Sequence, residues 1–161
     1  MENNPWWKGP NGEWYVVVQI LLFGILFIIP FLGQTPEWPA PFNRIAQILG
    51  LILALLGVGI AFWGVNSLGR NLTAVPKPKQ NAQMVQQGAY RLVRHPIYSG
   101  VILAGFGWSL LNNSLLALLV AVILFIFFDI KSRKEEGWLV EKYENYAVYQ
   151  RQVKKLIPFV Y

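Results

Sequence analysis

The chain has 161 residues, of which 55% are hydrophobic and 14% charged, and a formal net charge of +6. It has no cysteine and a single histidine, His95, which excludes disulfides, thiol catalysis and Cys-ligated metals and leaves no second imidazole for a His-based metal site. The charges stand outside long uncharged runs, as in a polytopic membrane protein whose solvent is lipid, and the basic residues flank those runs, so they fit orientation and anionic headgroups rather than nucleic acid.

Length predicts one domain over residues 1–161. Residues 1–13 are polar and carry Trp6, Trp7 and Lys8, which suits an anchor at headgroup level. They lack the basic region and small-residue cleavage site of a signal peptide and are expected to stay in the protein. Residues 14–32 form the first predicted span, with Gln19 and Pro30 as its only breaks, long enough for a hydrocarbon layer of about 30 Å. Residues 33–43 read as a loop with Pro36, Glu37, Trp38, Pro39 and Pro41. The second span covers 44–66, where Gly50, Gly57, Gly59 and Gly64 let a neighbouring helix approach closely. No strand precedes Gly57 and Gly59, so they do not read as a nucleotide loop.

Residues 67–95 form the main loop, with Arg70, Lys77, Lys79, Arg91 and Arg94 and no acidic residue. The positive-inside rule places it in the cytoplasm, and Asn71-Leu-Thr73 is then a chance match to a glycosylation sequon. Pro96 suits the first position of a helix, which predicts a third, short span over 96–111 of about 24 Å, with the free amides of Ile97, Tyr98 and Ser99 at its positive end. Asn112 and Asn113 form a turn, Ser114 is a good N-cap, and 115–130 is the fourth span. Asp129 is expected to pair with Arg133 one turn on. The tail 131–161 is basic, and the three-to-four spacing of its apolar residues from Glu135 to Tyr149 predicts an amphipathic interfacial helix, with Tyr143, Tyr146 and Tyr149 as interfacial packing. The predicted fold class is all-α: about four transmembrane helices plus a C-terminal amphipathic interfacial helix, with N-terminus, main loop and tail all cytoplasmic.

The third and fourth spans form a hairpin, so their open ends are adjacent. Arg94, His95, Tyr98, Glu135 and Glu136 therefore come within reach of one pocket. Paired carboxylates hold a cation, an amine or ribose hydroxyls, and the helix start at Pro96 offers amides to a carboxylate.

Two blocks also carry a resemblance. The first is Gly88-Ala-Tyr90-Arg-Leu-Val93-Arg94-His95-Pro96-Ile-Tyr98-Ser-Gly100. The second is Glu135-Glu136-Gly-Trp-Leu139, followed by Tyr143, Tyr146, Tyr149, Val153, Lys155, Ile157 and Pro158. Over residues 65–161 the chain resembles the integral-membrane methyltransferases that include isoprenylcysteine carboxyl methyltransferase and the phospholipid methyltransferases. It departs from them after Tyr143, where the usual Phe-Gly-x-x-Tyr-x-x-Tyr is shortened by one residue and lacks its glycine.

The resemblance implies S-adenosylmethionine as cofactor, bound by regions 88–100 and 131–158. His95, Tyr98, Gly100, Glu135 and Glu136 carry over to it, with Tyr90, Leu92, Val93 and Leu139 lining the adenosine. Arg94 is the expected cationic guide for a carboxylate acceptor, with Arg91 second; Glu136 or a tyrosine would serve as base for an amine. The acceptor is expected to be lipidic or a small hydrophobic molecule entering from the bilayer. Two alternatives stay open: a sterol-reductase-type membrane reductase using a nicotinamide cofactor, and a non-enzymatic membrane adaptor or lipid-binding protein.

Overall fold

The computed structural model describes residues 9–32 and 38–161. Trp6, Trp7, Lys8, Pro36 and Glu37 lie outside the described residues. Helix α1 is Glu13–Ile28, closed by a 3-10 turn at Ile29–Phe31 that contains Pro30. Helix α2 is Phe42–Leu68, α3 is Pro96–Leu111, α4 is Leu115–Lys142 and α5 is Tyr146–Gln152. Three segments, Glu13–Phe31, Phe42–Asn71 and Leu115–Lys142, are long and apolar enough to cross a membrane, and α3 is a shorter apolar helix of 16 residues. Among the described residues every regular element is helical.

Helices α2 and α3 lie backbone against backbone. Gly50, Gly57 and Gly64 recur every seven residues on one stripe of α2, and Gly100 and Gly107 do so on α3. A Cβ built on Gly57 would stand 2.5 Å from the Gly100 carbonyl oxygen, and one on Gly107 would stand 2.3 Å from the Ala54 nitrogen. Only residues without side chains permit that approach, and it is a general route to close contact in lipid. Gly59 is off the stripe and its Cβ would meet nothing.

Helices α3 and α4 form the predicted hairpin. Ser114 caps α4 by accepting from the Ala117 amide at 3.2 Å. The core sits where α1, α3 and α4 meet, around Leu26, Ile102, Ala121, Leu124 and Phe128. Trp108 of α3 donates its indole N–H to the Leu26 carbonyl at 3.2 Å.

The tail differs from expectation. No separate interfacial helix begins near Glu135: α4 runs unbroken to Lys142, and only the short α5 follows. Nothing between Ile130 and Lys142 stops a helix, and Arg133 donates to Asp129 at 2.9 Å across the junction. The apolar residues of this stretch are divided: Val140 and Val148 are exposed, and Leu139 and Tyr143 are half-buried. Tyr146 and Tyr149 are buried, which corrects their assignment to interfacial packing.

Candidate functional site

The first block is held open by its own backbone. Gly88 has φ +61, and a Cβ there would stand 2.4 Å from Ser67 Oγ. A 3-10 turn follows over Gly88–Arg91, and Pro96 starts α3 with His95 as its N-cap residue. The Ser99 amide is bonded to the His95 carbonyl at 3.0 Å, so it is not one of the free amides expected at that helix start. Residues 93–95 pair side by side with the tail. Val93 and Lys154 form a parallel bridge, the Arg94 amide donates to the Lys154 carbonyl at 2.8 Å, and the His95 amide donates to that of Lys155 at 3.1 Å.

Arg94 and Glu136 join the blocks. Arg94 Nε donates to Glu136 Oε1 at 2.7 Å and Nη2 to Oε2 at 3.3 Å. Arg94 Nη1 donates to the Gln150 carbonyl at 3.0 Å and also to the Val153 carbonyl. His95 Nε2 donates to Glu136 Oε1 at 3.0 Å, and Gln150 Nε2 to Glu136 Oε2 at 3.0 Å. Glu136 thus accepts four hydrogen bonds, and both its oxygens are committed. Tyr98 donates its hydroxyl to Glu135 Oε2 at 2.7 Å, and its ring stacks on His95 with centroids 5.3 Å apart.

These groups border a cavity of about 330 Å³. Tyr90, Arg94, His95, Tyr98, Glu135 and Leu139 line it, together with residues of the 71–85 loop and Tyr143, Tyr146 and Tyr149. Glu136 lies behind Arg94 and faces a separate polar recess with Gln150 and Lys154. The other residues named from sequence lie elsewhere. Leu92 is 46% exposed, Val93 is buried in the bridge to the tail, and Arg91 is exposed. Gly100 belongs to the α2–α3 contact, where a Cβ would stand 2.4 Å from the Ala61 nitrogen.

Burial pushes the phenols of Tyr90, Tyr146 and Tyr149 above their ordinary range. Glu135 adds to this at Tyr90, Glu136 and Glu135 add to it at Tyr146, and Arg94 opposes it at Tyr149. All three are therefore neutral donors near neutrality. Tyr149 donates to the Tyr90 carbonyl.

Sequence reasoning missed two cavity residues. Lys131 is 2% exposed, with Nζ donating to Gln19 Oε1 at 2.6 Å and to the Ala74 carbonyl at 3.3 Å. The signals were present: Gln19 is the one polar side chain inside the first span, and Lys131 lies one turn before Glu135 on the same face. The loop that roofs the cavity is also tied down. Asn71 both donates to and accepts from the Gln83 backbone at 3.1 Å, and Tyr143 donates to the Ala82 carbonyl at 2.7 Å. Lys142 donates to the carbonyls of Lys79 and Gln80.

Comparison with known proteins places this site in a context. A family model described as phospholipid methyltransferase matches residues 45–146. The chain is 29% identical over 122 residues to protein-S-isoprenylcysteine O-methyltransferase of Saccharomyces cerevisiae, covering 73% of this chain and 51% of that protein. It is 30% identical over 115 residues to protein-S-isoprenylcysteine O-methyltransferase B of Arabidopsis thaliana, covering 69% of this chain and 58% of that protein. It is 29% identical over 162 residues to a methanethiol S-methyltransferase of Pseudomonas sp., covering 89% of this chain and 58% of that protein. The chain thus spans between half and three fifths of the length of these relatives.

Proposed function

The chain belongs to the phospholipid methyltransferase family, and from that premise we propose that it is an integral-membrane methyltransferase that uses S-adenosylmethionine. Its acceptor is lipidic or a small hydrophobic molecule, and its active site opens on the cytoplasmic face. The observation that carries this reading is the cavity at which both sequence blocks meet, with a carboxylate, an imidazole and phenols on one wall. The relatives named for S-isoprenylcysteine support a hydrophobic acceptor, and the one named for methanethiol supports a small one.

The wall fits the cofactor. Tyr98 holds Glu135 through Oε2, leaving Oε1 to accept from an ammonium or ribose hydroxyls. The Tyr146 hydroxyl has no partner among the described residues, so it is available to a ligand. Tyrosine rings and Leu139 give an adenine an apolar and aromatic surface. When bound, S-adenosylmethionine supplies a methyl group on a sulfonium.

The chain's own work is to position and to exclude water. Glu136 orients His95 and Arg94 from behind, and the tail pairing fixes residues 93–95 against α4. The 71–85 loop covers the cavity. Its basic residues, with those of the tail, support a cytoplasmic orientation.

The test is calorimetric binding of S-adenosylhomocysteine to detergent-purified protein. Micromolar binding is expected, weakened about tenfold by Glu135→Gln through loss of a charged acceptor. A folded protein that ignores S-adenosylhomocysteine, or that binds a reduced nicotinamide dinucleotide instead, overturns the reading in favour of an adaptor or a reductase.

A further inference from the structure

Outside the cavity, a second carboxylate of α4 grips the tail. Asp129 Oδ1 accepts from Lys155 Nζ and from the Tyr161 hydroxyl, the latter at 2.8 Å, and Oδ2 accepts from Arg133 Nε at 2.9 Å. Lys155 Nζ also donates to the Tyr161 hydroxyl at 3.0 Å. The turn at 157–161 folds back to make this possible: the Leu156 and Ile157 amides both donate to the Tyr161 carbonyl at 2.7 Å. Lysine side chains ordinarily carry their charge out to water. Lys155 is instead 7% exposed, and Asp129 supplies the counter-charge that its burial requires.

What Lys155 holds is a piece of the site. Its carbonyl accepts the His95 amide at 3.1 Å, so one residue is tied to α4 by its side chain and to His95 by its backbone. On either side of it, the Lys154 carbonyl takes the Arg94 amide at 2.8 Å and the Leu156 carbonyl takes the Ser99 hydroxyl at 2.6 Å. A bridge between two short extended segments has little stability of its own. The placement of residues 153–156 is therefore set by the side chains that tether them. Leu156 is one tether, buried in the core, and Lys155 is the other. Asp129 and Glu136 stand seven residues apart, two turns along one face of α4. The tail runs back between them, with Gln150 donating to Glu136 and Lys155 to Asp129. Glu136 thus takes the ring of His95, and Asp129, by way of Lys155, takes its backbone.

We propose that Asp129 is a positioning residue of the cofactor site: by holding Lys155 and Tyr161 it sets the backbone at His95, and with it the angle at which the imidazole meets Glu136, Tyr98 and the cavity. Asp129 is not part of the cavity wall, so it acts only through the tail. The word cofactor rests on the methyltransferase reading above; the placement of His95 does not.

The experiment uses the fact that His95 is the only histidine of the chain. Protein grown on isotope-labelled histidine, purified in detergent without a polyhistidine tag, gives a single imidazole signal by nuclear magnetic resonance. Asp129→Asn and Lys155→Met should each move that signal, and Lys155→Arg, which keeps the charge, should leave it near the wild-type position. Glu141→Gln, which removes an exposed charge from the same helix, should not move it. In calorimetry, Asp129→Asn should weaken S-adenosylhomocysteine about fivefold. In the His95→Ala background the same substitution should cost less than about twofold, because the two residues act in series. Tyr161→Phe removes one donor and leaves the ion pair, so it should move the signal in the same direction by less. It carries the test if Asp129→Asn does not fold.

An imidazole signal that stays in place in Asp129→Asn, or in a folded Tyr161→Phe, overturns the proposal. So does a signal that moves as far in Glu141→Gln. An affinity loss of equal size with and without His95 also overturns it, because Asp129 would then only be loosening the fold. If wild-type protein binds no S-adenosylhomocysteine, the methyltransferase reading falls by itself. The imidazole signal of the free protein then still decides whether Asp129 places His95.

Discussion

Arg94 shows how far a residue can be read from its neighbours in sequence. The Arg94-His95-Pro96 run and the Glu135-Glu136 pair were legible as one constellation, because a helical hairpin forces their ends together. Their division of labour was not legible. Arg94 looked like a guide for an acceptor, but Glu136, 42 residues away, takes its guanidinium through two oxygens. Only the relative rotation of α3 and α4 decides which of two adjacent carboxylates meets it. The pair is nearly dry, with side chains 11% and 10% exposed. Arg94→Met leaves Glu136 with an uncompensated charge and should cost about 3 kcal/mol, read as a lower melting temperature in detergent. Arg94→Lys keeps the charge but not the planar fork, and should recover only part of that loss. Lys131 and Gln19 escaped for a related reason. Each looks like a boundary or a blemish of its own span, and their contact exists only once α1 packs on α4.

At the scale of elements, the glycines divide into two kinds that spacing alone half reveals. Gly50, Gly57, Gly59 and Gly64 were all read as packing glycines, of which Gly59 is not one, and Gly100 was claimed by the motif in which it stands. The structure gives it to the α2–α3 contact, where any Cβ would meet backbone that cannot yield. Gly100→Ala should therefore cost about 3 kcal/mol or more of stability. Gly59→Ala, where nothing lies within 4 Å, should be neutral or gain up to about 1 kcal/mol from helix propensity. Thermal melts of the two variants, followed by tryptophan fluorescence, separate them. The tail was misread for the opposite reason. Its periodicity was correctly helical, but period does not say whether an apolar residue meets lipid or protein, and here Leu139, Tyr143, Tyr146 and Tyr149 face the loop 71–85 and the first block while Val140 and Val148 stay exposed. Tyr143→Phe removes the donor to the Ala82 carbonyl and should favour local opening of the loop, rather than global unfolding, by about 1 kcal/mol. Faster limited proteolysis within residues 76–85, with the melting temperature almost unchanged, would show that the bond holds the roof rather than the fold.

On the scale of the whole molecule, length sets where the chemistry can sit. Helix α4 has 28 residues, about 42 Å, against a hydrocarbon layer of about 30 Å. That length exceeds an upright crossing, and its last turns, which carry Glu135, Glu136 and Leu139, also carry the helix's charges, so they are the ones expected to leave the hydrocarbon. Helix α3 has only 16 residues, about 24 Å, so its start at Pro96 is expected at or just inside the same boundary. A cavity framed by both is then expected at the membrane interface, beneath the 71–85 loop. That arrangement requires the main loop and the tail to share one face and the Asn112–Ser114 turn to take the other. The absence of cysteine makes this directly measurable. Asn81→Cys and Arg151→Cys, both at exposed positions, should react with a membrane-impermeant maleimide only in vesicles exposing the cytoplasmic side. Asn112→Cys should react only in the opposite orientation. If positions 81 and 151 label from different sides, the hairpin of α3 and α4 does not span the bilayer, and the shared cavity cannot form as described.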